Sequence, residues 1–290
     1  MTMINGIYAA TLSILDADLG LDIRKTIAHA EKVIDKGCHG VVFFGSTGQS
    51  QLISLSDKIN LINNLSTNSY KENFIIGTGL NSLSDTISLM KISMSLGFIK
   101  FLIMPPAYYK YDDQDVFNFY SNIIKVIPDS KIILYNFEKL SGYKFSEKIV
   151  YKLVENFPDQ IIGVKDSSYN LFENLKIDNF SVLPGSENKL LKGLELGCDG
   201  IITATCNITA TLARKVYDDF IQNKDQSENE KLCKVRTIFD GYNLISAIHS
   251  LMTQIDKSYS NILPPLSLLN KKNCQKLIEE LKKIDFNYKN

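Results

Sequence analysis

The chain alternates short apolar runs with longer segments in which apolar residues recur at helical spacing. The eight runs lie at residues 6–12, 40–44, 74–77, 100–104, 131–135, 160–165, 180–185 and 199–204. Runs that are almost continuously hydrophobic predict strands buried on both faces, as in a parallel sheet covered by helices. Eight units before residue 222 predict an α/β protein with a (β/α)8 or TIM barrel. A doubly wound open sheet is the alternative.

The segment between the first two runs shows the helical pattern. Ile23, Ile27, Ala30 and Ile34 fall on one face, and Gly37 is suited to end the helix because glycine adopts a positive φ without strain. Similar segments follow other runs, and several begin with Ser, Asp or Thr, which cap helix N-termini. We therefore expect each strand to be followed by a helix.

The pattern changes after Gln222. Residues 223–251 have helical spacing without a following apolar run, and residues 262–284 predict a turn and a terminal helix. No low-complexity segment or long linker separates this region from the rest. We therefore predict a catalytic barrel at residues 1–222 and a C-terminal helical extension at residues 223–290 that packs on it.

The charge balance favours a small-molecule partner. Thirty-two basic residues against 32 acidic ones give a formal net charge of zero, and the basic residues form no cluster. This pattern argues against binding to nucleic acid or to an anionic membrane.

The cysteines and the first residues indicate a reduced, cytoplasmic setting. The five cysteines are widely spaced and form no CxxC pair, so neither a disulfide framework nor a structural zinc site is expected. The N-terminus lacks the layout of a secretory signal. No apolar segment approaches the roughly 18 residues needed to span a bilayer.

Polar residues follow the second run, where a barrel strand ends and its loop begins. In such a barrel the active site is built at these strand ends. Gly45 and Gly48 bracket Ser46 and Thr47. The glycines let the backbone approach a ligand, and the hydroxyls and free N–H groups can hold a carboxylate. A plain polar turn is the alternative interpretation of this segment alone.

The fifth and sixth runs end in Tyr135 and Lys165. Neighbouring strands lie about 4.8 Å apart, so consecutive strands would place these two ends side by side. A lysine in a barrel mouth is partly desolvated, which favours the neutral amine that attacks a carbonyl. Tyr135 can carry protons when a neighbouring hydroxyl or cation stabilises its ionised form. Taken singly, Lys165 is also explained as a solvated strand end and Tyr135 as a core aromatic. We expect nearby Ser167 to bind substrate.

Three further strand ends carry polar candidates. Tyr108 lies on a loop stiffened by Pro105 and Pro106, where a catalytic role and a place in a subunit interface are both open. Glu187 follows the seventh run as a substrate-binding candidate, although capping of the next helix is the favoured alternative. Thr203 belongs to the eighth run as a lining or turn residue. The three histidines form neither a Ser-His-Asp arrangement nor a metal cluster, so we predict no metal.

Four segments in this order, GSTGQ, PPAYYK, YNFEKLSG and GVKDSS, resemble motifs of the dihydrodipicolinate synthase and N-acetylneuraminate lyase family of class I aldolases. The likeness runs from about Gly6 to Asn207 and includes a helical C-terminal extension. It implies a lysine that forms a Schiff base with pyruvate or another 2-keto acid, without metal or organic cofactor. It also implies a homotetramer built from dimers. In that assembly Tyr108, or Tyr109 if the loop shifts by one, would enter the neighbouring subunit's site.

The same resemblance implies roles at the strand ends. Lys165 matches the lysine that forms the imine, and Tyr135 matches the tyrosine that moves protons to and from the substrate oxygen. Ser46 and Thr47 match the pair that grips the pyruvate carboxylate and links the tyrosine to a hydroxyl relay.

The sequence departs from the family pattern at several positions. Gln49 stands where Glu is usual, Glu138 where Pro is common, and Ala107 where an aromatic is frequent. Leu140 replaces the arginine with which dihydrodipicolinate synthases bind the carboxylate of the semialdehyde, so no bidentate clamp exists at this position. The segment GSEN keeps one acidic residue where the neuraminate lyases have two.

The leading hypothesis is a pyruvate-dependent lyase or aldolase that cleaves or forms a 2-keto-3-deoxy sugar acid or a sialic-acid-like compound. The alternative within the family is condensation of pyruvate with aspartate semialdehyde, as in 4-hydroxy-tetrahydrodipicolinate synthase. A non-catalytic barrel that binds a keto acid is the alternative from another class, but such a barrel would not need the amine of Lys165.

Overall fold

The computed structural model describes residues 3–288 and contains one sheet of eight parallel strands, as predicted. The strands are β1 (Gly6–Ala10), β2 (Gly40–Phe43), β3 (Phe74–Gly77), β4 (Lys100–Ile103), β5 (Lys131–Asn136), β6 (Ile161–Asp166), β7 (Ser181–Pro184) and β8 (Gly200–Thr203). Their order in the sheet is β7-β6-β5-β4-β3-β2-β1-β8. Asp199 joins the two end strands, because its N–H donates to Val182 O at 3.0 Å and its carboxylate accepts from Val182 N–H at 2.9 Å. The sheet is thus a nearly closed TIM barrel.

Helices cover the outside of the strands. They are α1 (Ile23–Asp35), α2 (Leu55–Leu65), α3 (Leu83–Ser95), α4 (Asp113–Val126), α5 (Glu138–Ser141), α6 (Glu147–Asn156), α7 (Leu190–Glu195) and α8 (Cys206–Ile221). The expectation of a helix after every strand is wrong at one place. Residues 167–180, between β6 and β7, form turns and bends only. The buried carboxylate of Asp166 organises the start of this connection, because it accepts hydrogen bonds from the backbone N–H groups of Tyr169, Leu171 and Phe172.

Side chains alternate between the inside of the barrel and the layer under the helices. One buried cluster contains Ile133, Tyr135 and Leu183, while Leu134 and Val164 belong to the larger cluster between strands and helices. Lys165 pairs with Tyr135 on one side and with Leu183 on the other. Since paired residues of parallel strands point to the same face, Lys165 points into the barrel.

Three helices follow the barrel: α9 (Asn229–Asp240), α10 (Leu244–Met252) and α11 (Lys271–Lys283). They share a buried apolar cluster with Leu12 and Ile14, which follow β1, and with Ala204, which follows β8. The helices therefore pack at the carboxyl end of the strands, where the candidate site lies. The division of the chain at residue 222 stays a prediction, and residues 1, 2, 289 and 290 lie outside the described residues.

Candidate active site

A cavity of about 530 Å³ opens at the carboxyl ends of the strands. Its walls include five of the predicted site residues, which come from β2, β5 and β6 and from the turns that follow them: Ser46, Thr47, Tyr135, Lys165 and Ser167. A volume of this size suits a small organic ligand. Side chains far apart in the sequence are therefore brought to one cavity, as the strand ends predicted.

Lys165 lies near the end of β6 and is only 2% exposed. Its Nζ lies 4.2 Å from the centroid of the Tyr135 ring. Among residues 3–288 no carboxylate forms an ion pair with this amine, although most buried charged groups in proteins are paired. The arrangement keeps a desolvated amine beside a phenol inside a cavity that a ligand can enter.

Tyr135 connects the lysine to the hydroxyl pair after β2. Its phenolic oxygen lies 3.1 Å from Ser46 Oγ, and the two groups share a hydrogen bond. Ser46 and Thr47 begin a short 3₁₀ turn, Ser46–Gly48. Gly48 is required there, because a Cβ on this residue would lie 2.9 Å from the carbonyl oxygen of Thr11. The close packing of this turn sets the position of both hydroxyls.

Asp166 holds the loop after β6 in place. Its carboxylate is fully buried and accepts hydrogen bonds from Asn136 Nδ2 at 2.8 Å and from the N–H groups of Tyr169, Leu171 and Phe172 at 2.9, 2.9 and 3.0 Å. Burial raises the pKa of Asp166, and these donors oppose that effect. The loop carries Ser167 to the cavity wall.

Four predicted site residues lie away from the cavity wall. Gly45 is the extended residue that directly precedes the 3₁₀ turn. Glu187 and Thr203 lie together, with Thr203 Oγ1 donating to Glu187 Oε2 at 2.8 Å. Tyr108 is 90% exposed on the loop after β4. The catalytic role of Tyr108 and the substrate-binding roles of Gly45, Glu187 and Thr203 stay predictions.

The backbone distinguishes Tyr108 from Tyr109. Tyr108 has a φ of 90°, a left-handed conformation that is strained for a bulky residue, and Tyr109 does not. The two rings meet edge to face with centroids 5.1 Å apart. Strained residues cluster at functional sites, so the geometry favours Tyr108 over Tyr109 for a functional role.

The cavity also contains residues that the sequence pattern did not single out. Arg236 and Asp240 on α9, Tyr242 after it, and Lys139 and Lys189 all line the wall. One signal could have identified Arg236. It lies on the same helical face as the buried apolar residues of α9, where a charged residue needs a special partner.

Arg236 joins the C-terminal helices to the strand ends. Its Nη1 donates to Glu187 Oε2 at 3.1 Å and to Thr203 Oγ1 at 3.0 Å, and its Nε donates to Asp240 Oδ1 at 2.8 Å. Burial would lower the pKa of Arg236, but Glu187 and Asp240 hold it above its ordinary value. The guanidinium is therefore a permanent positive charge at the wall.

Neither a metal cluster nor a membrane span is present in the part of the chain that the structure describes. No group of three or more His, Cys, Asp or Glu side chains there could hold a metal ion. None of the helices there is long and apolar enough to cross a bilayer.

The eight-stranded parallel barrel carries a lysine and a tyrosine at adjacent strand ends, and comparison with known proteins identifies its family. The profile of the dihydrodipicolinate synthetase family matches residues 3–284. The chain therefore belongs to this family, whose members include aldolases and lyases, and it is an enzyme of this type.

Named relatives differ in what they act on. N-acetylneuraminate lyase of Clostridium perfringens is 28% identical over 73% of this chain and 75% of its own length. The 4-hydroxy-tetrahydrodipicolinate synthase of Listeria monocytogenes is also 28% identical, over 88% of this chain and 89% of its own. Among solved structures, YagE, a prophage protein of the dihydrodipicolinic acid synthase family from E. coli K12 in complex with pyruvate, matches with a TM-score of 0.90. It is 22% identical, and the match covers 99% of this chain and 100% of that one. At this identity the structure supports the fold alone.

Proposed function

We propose that this chain is a class I lyase or aldolase in which Lys165 forms an imine with pyruvate or another 2-keto acid. The observation that carries the proposal is the unpaired, buried amine of Lys165 beside Tyr135, which in turn contacts Ser46 at 3.1 Å. A barrel that only bound a keto acid would not need this amine, whose desolvation in the free protein is costly.

The reaction follows from these positions. The neutral amine attacks C2 of the keto acid, and Tyr135 gives its proton to the hydroxyl of the carbinolamine, which leaves as water, so that an iminium and ionised Tyr135 remain. In the cleavage direction the C3–C4 bond breaks. Its electron pair enters the iminium to give an enamine, and the C4 hydroxyl passes its proton to ionised Tyr135 as the aldehyde forms. Protonation at C3 and hydrolysis then release pyruvate and the free amine.

Ser46 and Thr47 are proposed to bind the carboxylate of the keto acid. The first N–H groups of a helical turn have no partner within the turn, so they are available to an anion together with the two hydroxyls. Ser46 also carries the proton relay to Tyr135. Ser167 lies on the same cavity and completes the polar wall around the imine.

For the second half of the substrate we propose a 2-keto-3-deoxy sugar acid or a sialic-acid-like compound. Leu140, which replaces the arginine of the dihydrodipicolinate synthases, is 43% exposed and is not part of the cavity wall. The relative of that name from Listeria keeps condensation with aspartate semialdehyde as the second candidate. A panel that compares sugar-acid cleavage with semialdehyde condensation separates the two, and dominant condensation would overturn the preference.

The imine is tested by reduction with borohydride in the presence of pyruvate, followed by intact mass and peptide mapping. We expect one adduct, on Lys165. Lys165→Arg should abolish it, and Lys139→Arg, at another lysine of the same cavity, should retain it. Absence of an adduct, or an adduct on another lysine, refutes the class I mechanism.

The homotetramer and the role of Tyr108 form a separate part of the proposal. An almost fully exposed, strained tyrosine suits a residue that enters a neighbouring subunit's site. Light scattering measures the assembly. Mixing Tyr108→Phe subunits with Lys165→Arg subunits should then restore activity, because each variant supplies what the other lacks. Mixtures that stay inactive after subunit exchange would refute donation between subunits.

A further inference from the structure

The wall of the cavity contains a guanidinium that the proposed chemistry does not use. Arg236 is 7% exposed, and it reaches the wall from α9 in the C-terminal helices. Its Nε and Nη1 are occupied by Asp240, Glu187 and Thr203. No hydrogen bond among residues 3–288 uses Nη2. Because Arg236 lines the cavity, this donor is available to a ligand there.

The protein contacts also fix the orientation of the guanidinium. Glu187 is fully buried and holds Nη1, while Asp240 holds Nε from the next turn of the same helix. A donor held in this way loses little conformational freedom when it binds an acceptor, which favours affinity and selectivity. Arg236 is therefore a preorganised group rather than a mobile surface charge.

Two more cations line the same cavity without an acidic partner. Neither Lys139 nor Lys189 forms an ion pair among the described residues, and Lys189 Nζ lies 5.6 Å from the centroid of the Tyr169 ring. The carboxylates of Glu187 and Asp240 are both engaged by Arg236. This part of the cavity wall therefore has an excess of positive charge.

An amide on this wall supplies a different contact. Asn188 lines the cavity, and its Oδ1 is buried without a hydrogen-bond partner. A buried acceptor without a donor is costly unless a ligand supplies the donor. A hydroxyl of the substrate would satisfy it, and an anionic group would not.

We propose that Arg236, assisted by Lys139 and Lys189, binds an anionic group at the far end of the substrate, and that Asn188 accepts from a hydroxyl on the chain between the two ends. This inference rests on the proposed function and sharpens its substrate class. The enzyme acts on a hydroxylated 2-keto acid that carries a second anionic group, a carboxylate or a phosphate, and the aldehyde it releases or consumes is charged.

The test compares aldehydes that differ in charge. Pyruvate is condensed with glyceraldehyde, with glyceraldehyde 3-phosphate and with succinic semialdehyde, and kcat/KM is measured for each. We expect at least one anionic aldehyde to be preferred over the neutral one by about 10- to 100-fold, the range of hydrogen bonds to charged groups. The phosphate and carboxylate arms show which anion is selected. A preference for the neutral aldehyde refutes the proposal.

Variants then assign the preference to Arg236. Arg236→Met should remove most of the preference for the anionic aldehyde through KM and lower kcat/KM for the neutral aldehyde by a clearly smaller factor, while the pyruvate adduct on Lys165 still forms. Lys234→Met is the matched control, because Lys234 lies on the same helix in an exposed ion pair with Glu230. Arg236→Met removes the ion-pair partner of the buried Glu187 carboxylate and could impair folding. In that case the double variant Arg236→Met with Glu187→Gln, which removes both charges, takes its place in the assay. An equal loss for all three aldehydes would assign a structural role to Arg236 and overturn the proposal.

A binding measurement keeps this test independent of the imine. Calorimetry with glycerol 3-phosphate, succinate and glycerol reports on the anion site even in the absence of turnover. We expect the wild-type protein to bind one of the two anions and not glycerol, and Arg236→Met to weaken that binding about 10-fold or more. Equal binding by the two proteins, or no binding of either anion by the wild type, would refute the anion site. A missing pyruvate adduct would instead refute the proposed function.

Discussion

Burial of the Lys58 ammonium predicts that the free energy of unfolding depends on pH. This lysine lies on α2 and is fully buried. Its Nζ donates to the carbonyl oxygens of Thr78 at 2.8 Å and Gly79 at 3.4 Å and lies 5.7 Å from the centroid of the Phe44 ring. No acidic side chain among residues 3–288 pairs with it. Burial lowers the pKa of Lys58 from 10.5 to about 7.

The sign of the effect follows from proton binding. Between pH values of about 7 and 10.5 the unfolded chain binds the proton of Lys58 more tightly than the folded protein does, so the free energy of unfolding rises with pH. One pKa unit corresponds to about 1.4 kcal/mol, so the full shift corresponds to about 5 kcal/mol. The penalty is fully present below about pH 7 and absent above about pH 10.5.

The perturbation is Lys58→Met, which keeps the length of the side chain and removes the charge. The free energy of unfolding of the wild type, minus that of the variant, should rise by about 2 kcal/mol between about pH 7 and pH 8.5. Because the chain has no tryptophan, urea unfolding is followed by circular dichroism. Lys91→Met, at an exposed lysine of α3, should show a constant difference. A constant difference for Lys58→Met as well would refute the reasoning, since the carbonyls and Phe44 would then fully compensate the buried charge.

Three further variants test other parts of the structure. Tyr135→Phe should slow turnover by about 100-fold or more, because it removes the proton carrier, and should leave the yield of the reduced pyruvate adduct unchanged; an unchanged rate would exclude the proton role. Asp166→Asn should lower the free energy of unfolding, measured with urea, by about 2–4 kcal/mol. The NH2 group of the new asparagine would face backbone N–H donors that the carboxylate now accepts from. A loss below experimental error would contradict this prediction. Tyr108→Gly should raise the free energy of unfolding by about 0.5–1 kcal/mol, because glycine adopts a positive φ without strain. The same variant should have a lower kcat. A less stable variant would show that the backbone at this position is not strained.

Most of the barrel could be predicted because strand patterns are local. All eight apolar runs contain strands, and the proximity of Tyr135 and Lys165 follows from two consecutive, neighbouring strands. Their direct pairing also depends on a register shift between Ile132 and Ile133, which the apolar pattern does not reveal. The missing helix between β6 and β7 could not be predicted in this way. That connection depends on one buried carboxylate, Asp166, that accepts from several backbone N–H groups, and a hydrophobic pattern does not reveal such contacts.

The candidate site can likewise be predicted where it depends on strand ends, and cannot be predicted where it depends on contacts between distant residues. The proposed keto-acid end is made by residues at the ends of β2, β5 and β6, which meet because the carboxyl ends of all the parallel strands lie at one mouth of the barrel. The far end depends on Arg236, whose contact with Glu187 joins residues 49 positions apart in the chain. Helix periodicity places Arg236 on a buried face, but only the packing of α9 against the strand ends brings it to the cavity. In the proposed reaction, the strand ends therefore position the lysine that forms the imine, and the C-terminal helices supply the arginine that we propose to bind the rest of the substrate.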